Sequence, residues 1–137
     1  MISNDAPPPP QRPATVLGAA DALALIVFVV VGIRSHHEVG ALYVFLRNAV
    51  PLLSAWFIVA TVAGAYRTPG LRTLLITWVI AIPTGLIARS LWVGSPTGAR
   101  LLVFLGIGLV FTALFLLAGR ALARLAGRRM LPVGHRT

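Results

Sequence analysis

The chain contains no cysteine and no lysine. The first absence excludes disulfides, thiolate metal ligands, thiol nucleophiles and cysteine-linked lipid anchors. The second leaves positive charge to 12 arginines. Acids are scarcer still, because Asp5, Asp21 and Glu38 are the only 3, and the formal net charge is +9. Long polar stretches are also missing: charged residues make up 11% of the 137 positions and hydrophobic ones 58%, with a mean hydropathy of +0.89. At roughly 20 apolar residues per bilayer-spanning helix, about 79 apolar positions amount to four spans. What is left makes loops and tails, too little for a soluble catalytic domain of ordinary size.

A balance this basic in a soluble domain would suggest nucleic acid. Here the arginines sit singly at the edges of apolar runs, where they set membrane orientation instead of building a phosphate-binding face, so no nucleic-acid partner is expected. No serine, histidine and acid stand at the spacing of a nucleophile motif, and no glycine-rich phosphate loop appears. The expectation is a protein that is not an enzyme and carries no cofactor.

Along the chain, residues 1–13 hold Pro7, Pro8, Pro9, Pro10 and Pro13 among polar residues, the composition of a disordered tail. No positive n-region precedes the first apolar run, so that run reads as a retained helix and not a secretory signal. A four-span domain is expected over 14–122, with spans at about 15–33, 48–66, 69–90 and 100–119, followed by a basic tail over 123–137. Starting the second span at Val39 would put Arg47 about 12 Å into hydrocarbon, so the spacing predicts a short interfacial segment and a start at Asn48 with Pro51 in the first turn. Thr68-Pro69 repeats that cap-and-proline signal, Pro83 predicts a kink in the third span, and Ser95-Pro96 precedes the fourth. With four spans, Arg12, Arg67, Arg72, Arg120, Arg124, Arg128, Arg129 and Arg136 share a side against Arg34, Arg47, Arg89 and Arg100. The positive-inside rule then places both termini in the cytoplasm. Arg120, Arg124, Arg128 and Arg129, with Leu122 and Leu125 between them, suit a helix end resting on anionic lipids.

Asp21 is the one acid within a span, and an unpaired acid there costs roughly 2.5–3.5 kcal/mol. Counting its depth, about 9 Å, along the other spans lands near Thr61, Thr77 and Thr112, which predicts an intramembrane polar layer. Such a layer either handles protons or cations or acts as helix glue, the acid being satisfied by the threonines or by a snorkelling Arg120 or Arg72. At the other end Arg34, His36, His37, Glu38 and Arg89 form a polar cap on the non-cytoplasmic side. Adjacent histidines point apart on a helix, so no metal site is expected. Small residues four apart, Gly18 with Ala22, Ala60 with Gly64 and Ala81 with Gly85, allow close helix approach, and Gly106 and Gly108 thin the fourth helix.

Several of these stretches have a family likeness. Gly32-Ile33-Arg34-Ser35-His36 after an Asp-bearing helix, Pro51 opening the second, Thr84-Gly85-Leu86-Ile87-Ala88-Arg89 closing the third, and Phe111-Thr112-Ala113-Leu114-Phe115-Leu116 leading to Gly119-Arg120 together resemble the domain-of-unknown-function family numbered 3054. The likeness covers roughly residues 15 to 122 and departs from the family pattern at Leu52, where a Phe is common. It implies a small four-helix bacterial or archaeal membrane protein and no particular activity. Length and the placement of Asp21 are also similar to small multidrug-resistance exporters, whose glutamate and aromatic motifs are absent here, so that likeness is one of shape.

The sequence therefore reads as an all-α protein, an integral membrane four-helix bundle with short loops, multi-pass in the cell (inner) membrane. Its expected role is structural or interactive, with the lipid bilayer, anionic lipids at the basic C-terminal end, and a homodimer or partner membrane protein as companions. The alternative is a small dimeric proton-coupled transporter that uses Asp21.

Overall fold

The structure is a computed structural model that describes residues 14–35 and 40–129. The proline-rich tail, His36, His37 and Glu38 of the expected cap, and the chain beyond Arg129 lie outside the described residues. Among the described residues the fold is made of four helices: α1 (Ala14–Ser35), α2 (Ala41–Val62), α3 (Leu71–Val93) and α4 (Ala99–Arg129). Each packs on two neighbours, α1 on α2 and α4, α3 on α2 and α4, so the backbones of α1 and α3 stand apart across a diagonal. Successive helices run antiparallel, because the connections are too short for anything else.

All four are long and apolar enough to cross a membrane. Leu23, Ile58, Leu91 and Leu102 are exposed all round the bundle, as expected where the solvent is hydrocarbon. Little polarity contrast marks the inward faces, which are told instead by spacing: Leu17, Asp21, Ala24, Leu25 and Val29 on α1, and Leu74, Thr77, Ala81, Ile82, Gly85 and Leu86 on α3, each recurring every three or four residues. Trp56, Leu25, Leu52, Ile82 and Leu116 fill the centre.

Three boundaries differ from the sequence-based expectation. The second helix starts at Ala41, after Gly40 in the left-handed region (φ 97°), with Arg47 and Asn48 inside it and Pro51 well past the first turn. The Arg47 guanidinium lies 5.7 Å from the centroid of the Tyr43 ring one turn back. Asn48 donates its side-chain amide to the Val44 carbonyl at 2.7 Å. The expected basic tail, in turn, begins as helix, since α4 continues unbroken to Arg129.

Helix α2 also stops earlier than expected, at Val62, in a Schellman turn. The Ala65 amide donates to the Ala60 carbonyl at 2.9 Å, the Gly64 amide to the Thr61 carbonyl at 3.2 Å, and Gly64 takes the left-handed conformation (φ 69°). Gly64 is thus a chain-reversal residue and not part of a small-residue packing seam. The reversal carries Tyr66 back under the bundle.

Candidate functional site

At the end of the bundle where the chain enters α1 and leaves α4, Asp21 is fully buried. Arg120, 99 residues away, meets it with both arms of its guanidinium, Nε donating to Oδ1 at 2.9 Å and Nη2 to Oδ2 at 2.8 Å. The Tyr66 hydroxyl donates to Oδ2 at 3.1 Å, and the Trp56 indole Nε1 donates to the Tyr66 oxygen at 3.1 Å. One carboxylate thereby ties α1 to α4 and to the α2–α3 turn, with α2 behind it.

The approach that allows this is set by the residue before Arg120. A Cβ on Gly119 would lie 3.3 Å from the Ala24 Cβ and 3.4 Å from the Ala20 carbonyl oxygen, so α4 comes against α1 one turn above Asp21. A forked guanidinium matches a carboxylate on two bonds at once, and the two charges cancel within the apolar interior. Tyr66 lies beyond the last span residue of α2. Burial above all, then the negative charge of Asp21, pushes its phenol well up from the ordinary tyrosine range, so it stays a hydrogen-bond donor at physiological pH.

The threonines expected around Asp21 do not gather there. Thr61 is exposed and donates to the Phe57 carbonyl at 2.7 Å. Thr77 is buried but donates to the Thr73 carbonyl at 2.8 Å, on the helix diagonal to α1. Thr112 donates to the Gly108 carbonyl at 2.7 Å and accepts the Trp78 indole N–H at 3.2 Å, tying α3 to α4. Equal depth is not equal direction, and a threonine in a helix satisfies itself on the carbonyl four residues back.

At the opposite end Arg34 is exposed in the last turn of α1, and Arg89 is held by donating Nε to the Asn48 side-chain oxygen at 2.9 Å and Nη1 to the Ser95 carbonyl at 2.6 Å. Its guanidinium carbon also sits 5.3 Å from the centroid of the Phe104 ring. Beside it opens a cavity of about 520 Å³ walled mainly by α1 and α4. Among the described residues no three histidine, cysteine or carboxylate side chains stand close enough together to hold a metal ion.

A family model described as a protein of unknown function, DUF3054, matches residues 18–123. The chain belongs to this family. The DUF3054 match takes in Asp21, Tyr66 and Arg120 and ends three residues after Arg120. No curated protein and no solved structure matches the chain.

Sequence reasoning reached Asp21 and named Arg120 among its partners, but it gave neither Tyr66 nor Trp56 a place beside them. The signal for Tyr66 was Gly64, whose position two residues ahead marks a helix-ending turn that sends the next residues back toward the bundle.

Proposed function

We propose that this DUF3054 protein is a non-catalytic component of the cell (inner) membrane that binds or organises other membrane constituents. Its Asp21–Arg120 pair acts as the clasp closing the bundle. The observation that carries the reading is the double occupancy of the carboxylate: both oxygens take a guanidinium arm, and one also takes the Tyr66 hydroxyl. An acid that moved protons would need a route to water, and Asp21 is fully buried. By the arginine count both termini face the cytoplasm, where the basic end of α4 meets anionic lipid headgroups.

The test is proton flux in proteoliposomes carrying a pH-sensitive dye. Wild type and the doubly apolar variant D21L/R120L are expected to leak at the same rate as each other and as empty vesicles. A wild-type conductance abolished in D21L/R120L would replace this reading with the proton-coupled transporter.

A further inference from the structure

The clasp pins α1 and α4 together at one end, and the cavity lies between the same two helices at the other. Its inner limit is the edge-to-face pair Phe28 and Phe115, with ring centroids 6.3 Å apart. At about 520 Å³ it falls within the range of small-molecule pockets, about 300–1,000 Å³. The lips of its opening, Val31 on α1 and Val103, Ile107 and Phe111 on α4, are exposed and apolar. On a membrane-spanning bundle such lips face acyl chains and not water. The rim is cationic: Arg100 stands exposed on it, and Arg89 is fixed in its wall by Asn48 and Ser95. Among the described residues no carboxylate lines it, because Asp21, the one acid among them, is at the far end and paired.

We propose that this cavity is a lateral binding site for an anionic phospholipid. The phosphate rests against Arg100 in the field of Arg89, and one acyl chain lies between α1 and α4. Length supports the fit. From Arg100 down α4 to Phe111 is about 16 Å at the helical rise, and one leaflet of a 30 Å hydrocarbon core is about 15 Å deep. A guanidinium and a phosphodiester are matched in charge and hydrogen-bonding geometry, whereas a zwitterionic headgroup brings its own cation to the rim. The proposal names one membrane constituent of the kind the reading above calls for, but it rests on the cavity and not on the Asp21–Arg120 pair, and proton flux does not bear on it.

The experiment is native mass spectrometry of the full chain, purified in detergent with equal amounts of phosphatidylglycerol and phosphatidylcholine of identical acyl chains. Phosphatidylglycerol is expected to be retained at least fivefold over phosphatidylcholine. Arg100→Gln is expected to bring the ratio close to one, and Ile107→Trp, which fills the mouth without changing charge, to remove the retained lipid. Val103→Trp serves as a second filling variant should Ile107→Trp lose its helical signal in circular dichroism. Equal retention of the two lipids overturns the proposal. So does a phosphatidylglycerol preference that survives both filling variants, which would locate the lipid on the outer surface. Palmitate displacing the bound lipid more effectively than lysophosphatidylglycerol would also overturn it, in favour of a free carboxylate amphiphile.

Discussion

Asp21 and Arg120 are each tolerable in the bundle only because of the other. Replacing one leaves a buried charge without its counterion, at a cost of about 3–5 kcal/mol, whereas replacing both with apolar residues of similar volume is nearly neutral or stabilising. Denaturation of Asp21→Asn, Arg120→Gln and D21L/R120L by sodium dodecyl sulfate titration is expected to show two large losses and a double variant less destabilised than either, short of wild type because the Tyr66 hydroxyl loses its acceptor. Tyr66 gives a second readout. Its folded-state pKa is raised above the unfolded value of about 10, so its contribution to stability is complete below that value and is lost as pH rises from there toward the folded pKa. In a Tyr43→Phe protein, where Tyr66 is the only tyrosine, phenolate absorbance at 295 nm is expected to lag the ordinary tyrosine titration while the protein is folded and to return to it in denaturant. That an acid in α1 needed an answer was legible from hydropathy alone. Which group answers it was not, because depth counting fixes a level along the bundle axis but leaves the direction round each helix open, and Thr61 and Thr77 fail on direction.

At the scale of helices, the tightest seam is α2 on α3. A Cβ on Gly85 would sit 2.8 Å from the Leu52 Cα and 3.2 Å from the Pro51 carbonyl oxygen, which is backbone and has nowhere to go. Gly85→Ala is therefore expected to push the helices apart and cost about 1–3 kcal/mol. Gly106→Ala meets nothing within 4 Å and is expected to be neutral or slightly stabilising, since alanine favours helix. Thermal unfolding midpoints of the two variants check the contrast. The small-residue spacing flagged Gly85 and Gly64 alike, and only the backbone tells them apart: one is a contact, the other a turn. Helix count and order were legible because each apolar run is span length. The start of α2 was not, because the penalty on Arg47 assumed an arginine facing lipid alone, and the Tyr43 ring one turn back changes that.

At the scale of the molecule, an up-down-up-down bundle puts the α2–α3 turn on the side of both termini and the α3–α4 turn on the other. A chain without native cysteine makes this easy to read. In intact cells a membrane-impermeant maleimide is expected to label Ser95→Cys and to spare Thr68→Cys until the membrane is opened, and the reverse pattern would invert the proposed orientation.

The 99-residue separation of the clasp partners has a temporal meaning as well. At about 5–20 residues per second of synthesis, Asp21 waits about 5–20 s for Arg120 to be made. Throughout that interval the acid of the first helix is without its guanidinium, a state that ends only when the fourth helix docks. A polypeptide released before Gly119 never leaves it, and so carries its own mark of incompleteness for membrane proteases to read. Chains truncated before Gly119 are expected to have a shorter half-life in a pulse-chase experiment than the full chain, and Asp21→Leu is expected to lengthen it.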